Sequence, residues 1–238
     1  MNKNLEQVLT TIKENDHFLV TSHINPDGDA IGAMAAMGYI LQSLQKDFVL
    51  FNESGLPQRL AWLKLPAPIT QELPETDPQW LIVLDSGDSS RPGEKIKDLI
   101  GRVKTINIDH HLGNPGFGLI NWVEPQSSSV GEMVARLAQK LDIPLQGALA
   151  EAIFLSIASD TGGFSFGNTT PDALELTAHL IRQGLDYARI NAQMQKQWSL
   201  NKVKLHGHVL KNAELHLNDQ VGLITITQEI LKKTGTTL

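Results

Sequence analysis

Histidines and aspartates in four short segments are the residues of this chain whose types and spacing can do chemistry. The first segment, HINPDGDAIGA, sets His23, Asp27 and Asp29 within seven residues, around a proline and a glycine. The other segments are VLDSGD with Asp85, INIDHH with Asp109, His110 and His111, and SDTGGF with Asp160. Oxygen and imidazole ligands without sulfur suit Mn²⁺, Mg²⁺ or Fe²⁺ better than a structural zinc site.

Bound cations would also remove an electrostatic problem that these residues create. Like charges about 4 Å apart repel by on the order of 4 kcal/mol at intermediate dielectric, so five carboxylates gathered at one place are unfavourable when bare. A carboxylate that bridges two ions about 3.5–4 Å apart forms a two-metal hydrolase centre. The residues therefore predict a site for divalent cations and hydrolytic chemistry.

Each segment taken alone has an ordinary structural explanation. Pro-Asp-Gly is a common turn former, Asp85 fits a helix N-cap, and the DHH tripeptide fits an exposed loop. Asp160 closes an apolar helix, where a negative charge opposes the helix dipole by a few tenths to about 1 kcal/mol. Because all four segments follow the end of a strand or helix, we favour the common functional explanation.

Four runs rich in Val, Ile, Leu and Phe are the predicted strands that position these residues: FLVTS, FVLFN, WLIVLD and VKTINID. Helices are predicted at 28–46, at about 129–141 and at about 146–160. Strands alternating with helices predict an α/β fold with a doubly wound, mainly parallel sheet. The carboxyl ends of parallel strands share one edge, so we expect the four segments to converge there.

The rest of the chain predicts a change of organisation near residue 190. Thr170 and Pro171 open a helix that closes before Gly184, and a helical pattern then runs to about Leu217 with a restart at Ser199. The segment VGLITIT predicts a new strand, and a helix is predicted to follow it in the sequence. We therefore predict a catalytic domain over 1–190, a helical linker over 191–218 and the start of a second α/β domain over 219–238.

Composition limits the class of function. The 238 residues carry 20 Lys and Arg against 26 Asp and Glu, a net charge of −6, which gives no general footprint for duplex nucleic acid. The absence of cysteine excludes disulfides, thiolate zinc sites and cysteine nucleophiles. The N-terminus lacks the apolar region of a signal peptide, and the richest apolar run, 30–41, is too short to cross a membrane. We expect a cytoplasmic protein without a membrane partner.

Taken in order, the four segments resemble the motifs of the DHH phosphoesterase superfamily over about residues 5–190, and more weakly to 238. DHHLGNPGFGLINWVEPQSSSVGEM is most similar to the branch of nanoRNases and pAp phosphatases. The resemblance implies two divalent cations, Mn²⁺ before Mg²⁺ or Fe²⁺. It implies one ion held by His23, Asp27 and Asp85, and a second held by Asp29, Asp85, His110 and Asp160, with Asp85 as the bridge.

The resemblance also implies roles close to the metals. The expected catalytic residues are Asp85, Asp109, His110 and His111, the last as a hydrogen-bond or phosphate contact. The expected substrate contacts are His111, Asn114, Ser127, Ser128, Ser129 and Arg136, with Trp122 as a further candidate. The three serines precede a helix, where they can receive a phosphate or simply cap the helix, and we favour capping.

The implied activity is in-line attack of a metal-bound water on phosphorus, without a covalent nucleophile. The implied substrates are short single-stranded RNA, trimmed from 3′ to 5′, and pAp, hydrolysed to AMP. A homodimer is a candidate assembly. The family carries a second, DHH-associated domain with a glycine-rich motif that this chain does not contain, so we expect a truncated chain whose activity alone is open.

Two alternatives stay open. Within enzymes, the same centre could hydrolyse cyclic or linear dinucleotides. In another class, the chain could be a non-catalytic module that binds metal or nucleotide, although all six expected metal ligands are present.

Overall fold

The computed structural model describes residues 3–196 and 199–236, and the chain divides into two compact units, Met1–Ile190 and Asn191–Leu238. The domain assignment made from the sequence stays a prediction. None of the described helices is long and apolar enough to span a bilayer.

A six-stranded parallel sheet forms the centre of the first unit. Its strands are β1 (Phe18–Thr21), β2 (Phe48–Phe51), β3 (Ile69–Thr70), β4 (Trp80–Leu84), β5 (Lys104–Asp109) and β6 (Ile120–Val123). They lie in the order β3-β2-β1-β4-β5-β6, and every neighbouring pair is parallel. The order reverses between β1 and β4, so the carboxyl ends of these two strands flank the crevice where doubly wound sheets bind ligands. The predicted α/β fold is confirmed.

Seven helices accompany the sheet in the described part of this region. They are α1 (Lys3–Glu14), α2 (Gly28–Ser43), α3 (Glu94–Lys97), α4 (Val130–Lys140), α5 (Gly147–Asp160), α6 (Pro171–Arg182) and α7 (Tyr187–Gln195). Side chains fix several starts, because Asp27 caps α2, Ser129 caps α4 and Thr170 caps α6 ahead of a proline. The predicted α2, α4 and α5 are confirmed within a few residues.

Helix α2 is the most buried helix of the first unit, with every residue from Gly28 to Gly38 inaccessible to solvent or nearly so. Its small residues let α5 approach closely, since a Cβ at Gly32 would lie 2.6 Å from the carbonyl oxygen of Ala152. Near the start of α2, Gly28 packs against Ser159. This packing brings the end of α5 to the beginning of α2, where two of the motif aspartates lie.

Among its described residues, the second unit contains the end of α7, two further helices and a hairpin: α8 (Leu200–Lys211), the antiparallel strands β7 (Glu214–His216) and β8 (Val221–Leu223), and α9 (Gln228–Thr234). Leu205 of α8 packs on Ile230 and Leu231 of α9. The helix predicted to about Leu217 ends at Lys211 with Asn212 as its C-cap. Residues 217–219 have positive φ angles and turn the chain from β7 into β8.

Candidate metal centre

The four motif segments meet at the carboxyl edge of the sheet, as the topology predicts. His23 lies just after β1, Asp85 directly follows β4, and Asp109 is the last residue of β5. Two further positions come from helices: the beginning of α2, with Asp27 and Asp29, and the end of α5, with Asp160.

The first group of ligand atoms, called cluster A, consists of His23, Asp27 and Asp85, whose donor atoms lie within 4.8 Å of one another. Nε2 of His23 is 3.6 Å from Oδ2 of Asp85 and 3.9 Å from Oδ1 of Asp27. Nδ1 of His23 lies 2.8 Å from the carbonyl oxygen of Ile24, which fixes Nε2 as the nitrogen that faces the carboxylates.

The second group, called cluster B, consists of Asp29, His110 and Asp160, again with donor atoms within 4.8 Å. Nε2 of His110 lies 3.7 Å from Oδ2 of Asp29 and 3.7 Å from Oδ2 of Asp160. Nδ1 of His110 lies 3.1 Å from the carbonyl oxygen of Ser127, so this ring is oriented in the same way as His23.

Asp85 lies between the two clusters. Its Oδ2 faces His23, while its Oδ1 is 3.7 Å from Nε2 of His110. The residue is buried and has a φ of 52°, a left-handed conformation that costs a non-glycine residue about 1–2 kcal/mol. Strain of this kind at a buried polar residue is typical of functional sites. The arrangement gives each cluster one oxygen of the same carboxylate.

Burial and repulsion between neighbouring carboxylates raise the pKa values of the two aspartates of cluster B. Burial raises the pKa of Asp29 well above 3.8 and the charge of Asp85 raises it further, against hydrogen bonds from Ser156 and from the Val130 N–H. Burial also raises the pKa of Asp160, where the neighbouring His110 opposes the shift. These carboxyl groups therefore ionise reluctantly by themselves, and a bound cation would favour their ionised form.

Asp109 and His111 form a separate pair beside Asp85. Oδ1 of Asp109 accepts a hydrogen bond from Nδ1 of His111 at 2.7 Å, and its Oδ2 accepts one from Nδ2 of Asn114 at 2.6 Å. Burial favours a higher pKa for Asp109, but these two hydrogen bonds and the charges of His111 and His110 together outweigh burial, and the pKa is lowered. The same bond to Asp109 raises the pKa of His111 against the effect of burial. Asp109 thus orients His111.

The predicted substrate contacts fall in different environments. The ring of His111 is 39% exposed and faces the clusters. The amide of Asn114 is committed within the fold, since its Nδ2 bonds Asp109 and the carbonyl oxygen of Ser86. Trp122 is fully buried and donates from Nε1 to Glu124, so its ring offers no surface to a nucleotide.

The serine run supports helix α4, and the capping alternative is confirmed for Ser129, whose hydroxyl accepts from the N–H of Glu132 at 3.2 Å. Ser128 donates from both N and Oγ to Glu132, and both serines are fully buried. Nη2 of Arg136 donates to Oγ of Ser127 and to Glu124, each at 2.6 Å. These side chains are therefore engaged inside the fold, and their contact with a substrate stays a prediction.

Two supporting residues were not found from the sequence. Ser156 of α5 donates its hydroxyl to Oδ1 of Asp29, and its position one helical turn before Asp160 was an available signal. Nδ2 of Asn168 donates to Oδ2 of Asp160 at 3.0 Å and to the carbonyl oxygen of Ser128 at 3.1 Å. No periodic pattern around Asn168 marks it, because its partners lie eight and 40 residues away in sequence.

Comparison with known proteins identifies relatives of this chain. The DHH family, N-terminal domain, matches residues 17–157. The bifunctional oligoribonuclease and PAP phosphatase NrnA of Thermus thermophilus is 30% identical over 199 residues, which cover 83% of this chain and 59% of that protein. The protein of the same name from Bacillus subtilis is 28% identical, over 97% of this chain and 73% of its own length.

A solved structure shares the fold. The crystal structure of an exopolyphosphatase-related protein from Bacteroides fragilis superposes with a TM-score of 0.88 at 24% identity, covering 100% of this chain and 73% of that one. The chain thus spans 59% to 73% of the length of these three proteins. Because the family match extends over more than half of the residues and includes the first three motif segments, this chain belongs to the DHH family.

Proposed function

We propose that this chain carries the catalytic centre of a divalent-cation-dependent phosphoesterase that hydrolyses short single-stranded RNA, and pAp to AMP. The observation that carries the proposal is the position of Asp85, which directs one carboxylate oxygen at cluster A and the other at cluster B. The names of the Thermus and Bacillus relatives support this substrate class.

The donor set fits two divalent cations. Cluster A would hold one ion, and cluster B together with Asp85 would hold the other. All donors are carboxylate oxygens or imidazole nitrogens, the set that suits Mn²⁺, Mg²⁺ or Fe²⁺, and we propose Mn²⁺. In both clusters the histidine Nδ1 is engaged by a backbone carbonyl, as is usual for metal-ligating histidines.

Divalent cations at these positions would acidify a water molecule and neutralise charge on the phosphoryl oxygens. The residues of the chain supply the rest. Asp85 fixes the two clusters relative to each other. Asp109 accepts from Nδ1 of His111 and raises the pKa of the ring, so in the protonated ring Nε2 holds the second proton and can donate it to a phosphoryl oxygen of the substrate. Partial exposure of the ring makes it accessible to a nucleotide.

The test compares the chain with two matched variants, Asp85→Asn and Asp88→Asn. Asp88 is an aspartate of the same loop whose carboxylate accepts from Ser90 and belongs to neither cluster. The substrates are a 5′-labelled RNA trimer, pAp, a linear dinucleotide and the activated diester bis(p-nitrophenyl) phosphate. We expect Mn²⁺-dependent hydrolysis by the wild type and by Asp88→Asn, and none by Asp85→Asn.

The pattern of substrates separates the alternatives. Turnover of the linear dinucleotide without turnover of the trimer or pAp would favour the dinucleotide phosphodiesterase. If calorimetry shows that Mn²⁺ binds while every phosphoester, including the activated diester, stays intact, both with this chain and with the chain extended by a DHH-associated domain, the chain is a binding module and the proposal is wrong.

A further inference from the structure

The backbone of residues 127–131, at the start of α4, directly contacts two of the three side chains of cluster B, His110 and Asp29. The carbonyl oxygen of Ser127 lies 3.1 Å from Nδ1 of His110. The backbone N–H groups of Val130 and Gly131 donate to the two oxygens of Asp29 at 3.0 and 3.3 Å. We name residues 127–131 the α4 turn.

The third side chain, Asp160, reaches the α4 turn through Asn168. The amide nitrogen of Asn168 donates to Oδ2 of Asp160 at 3.0 Å and to the carbonyl oxygen of Ser128 at 3.1 Å. Oδ2 is also the Asp160 oxygen that faces His110. One amide therefore ties the orientation of this carboxylate to the α4 turn.

Side chains hold the α4 turn itself in place. Glu132 is buried and accepts from the N–H and the hydroxyl of Ser128 at 2.9 and 2.7 Å. The hydroxyl of Ser129 caps the helix, and Arg136 donates to the hydroxyl of Ser127. The turn is thus a preorganised frame whose shape depends on Glu132 and the serine hydroxyls.

Cluster A is oriented by other contacts. His23 is held by the carbonyl oxygen of Ile24, and Oδ1 of Asp27 accepts from the N–H of Ala30 at 3.0 Å. Among the hydrogen bonds of the described residues, neither side chain bonds the α4 turn. The two clusters therefore have separate supports, apart from the Asp85 that they share.

We propose that the α4 turn and Asn168 form a positioning device for the cation of cluster B alone, with Asn168 as the residue that couples Asp160 to the turn. This inference rests on the proposed function, because it needs two bound cations. Partners that orient metal ligands typically change metal affinity by about 10–100-fold when they are removed. Loss of Asn168 should lower the affinity for the cation of cluster B by that factor and leave the affinity for the cation of cluster A unchanged.

The experiment measures Mn²⁺ binding to the full chain by calorimetry and by electron paramagnetic resonance, which reports magnetic coupling between neighbouring ions. Asn168→Leu removes the amide at nearly constant volume. Asn15→Leu is the matched control, because its amide donates to one local carbonyl, that of Thr11, in α1. We expect two ions in the wild type and in the control, and one weakened ion with reduced coupling in Asn168→Leu.

Glu132 supplies a second, independent pair of variants. Glu132→Ala should weaken the same ion, whereas Glu132→Gln keeps an oxygen that can accept from Ser128 and should restore wild-type binding. If Glu132→Ala acted by a general loss of folding, the affinity for both Mn²⁺ ions would fall. The selective loss of one ion expected in Asn168→Leu would then not be reproduced.

The outcomes distinguish the two proposals. A wild-type chain that binds no Mn²⁺ contradicts the proposed function. A wild-type chain that binds two ions, with Asn168→Leu binding both as tightly or losing both equally, overturns the positioning role while the proposed function stands.

Discussion

Nδ1 of His111 lies 2.7 Å from Oδ1 of Asp109, a carboxylate that has no exposed surface and belongs to neither cluster. The second oxygen of Asp109 is held by Asn114. A buried carboxylate that accepts from a histidine in this way fixes the orientation of the ring and the nitrogen that faces a ligand. Asp109 is therefore best described as a positioning residue for His111.

This relationship predicts the effect of Asp109→Asn. An amide at position 109 brings an N–H against a donor of either His111 or Asn114, so the orientation of His111 is lost. We expect kcat on the RNA trimer to fall about 100-fold, the scale of one positioned proton donor, with Mn²⁺ affinity unchanged. Steady-state kinetics and calorimetry measure the two quantities, with the exposed Asp98→Asn as control. A parallel loss of Mn²⁺ affinity would instead make Asp109 a ligand.

Removal of the cations from cluster A and cluster B should lower the melting temperature of the protein. Ions that bind the folded state at 100 times their dissociation constant stabilise it by about 2.7 kcal/mol for one site. For a unit of this size that corresponds to a rise in Tm of roughly 5–10 °C. We expect this rise when Mn²⁺ replaces EDTA in the wild type, and almost none in Asp85→Asn, which loses the shared ligand. An equal rise in both proteins would show that the ions bind elsewhere.

The metal-free protein should also respond to pH in a distinctive direction. Burial raises the pKa values of Asp29 and Asp160, the bond to Asp109 raises that of His111, and attraction to Asp85 raises that of His23 against burial. A group whose folded pKa is raised contributes stability that is present below its unfolded value and is lost as pH rises through the folded value.

The window follows from the usual values of these groups. The unfolded values are 3.8 for aspartate and 6.5 for histidine, so the stability from the two aspartates declines as pH rises above 3.8, and that from the two histidines declines as pH rises above 6.5. Carboxylates with lowered pKa values act below 3.8, outside this window; these are Asp16, Asp88 and Asp109.

Thermal unfolding in EDTA should therefore occur at a higher temperature at about pH 5 than at about pH 8. Excess Mn²⁺ should reverse this order, because cations compete with protons for the same side chains. A metal-free melting temperature that climbs toward pH 8 would contradict the assignment of these shifts.

The central strands and the position of the centre were predictable because they follow from simple patterns. Continuous apolar runs mark β1, β2 and β4, and alternating isoleucines mark β5. Each motif segment lies at a recognisable strand or helix end. The sequence does not predict the edge strand β3, which has only two residues, or the edge strand β6, whose apolar run is interrupted by Asn121. Parallel topology then placed the motif residues on one edge without further information.

The finer features of the centre depend on tertiary contacts that no local pattern encodes. The residue type of Asp85 does not by itself predict its left-handed backbone conformation. Asn168 acts on Asp160 and on the backbone of Ser128, which is 40 residues away in sequence. The serine run is a capping signal in the sequence. Its backbone contacts to cluster B depend on the packing of α2 and α5 against α4, which the sequence does not show.

The approach of α2 to α5 leads to the last prediction, for Gly32→Ala. A Cβ at this position would lie 2.6 Å from the carbonyl oxygen of Ala152 and 2.9 Å from Cβ of Ser156, so the two helices must separate. Overpacking costs about 1–3 kcal/mol, while alanine in a helix gains about 1 kcal/mol over glycine, and the backbone clash puts the cost at the upper end. We expect the free energy of unfolding in urea to fall by about 2 kcal/mol. Because Ser156 also bonds Asp29, the affinity of cluster B for Mn²⁺ should fall at the same time.

Gly113→Ala, where a Cβ meets nothing within 4 Å, is the control and should change the free energy of unfolding by less than about 0.5 kcal/mol. If the two variants unfold alike, the close contact of α2 with α5 does not set the geometry of the centre.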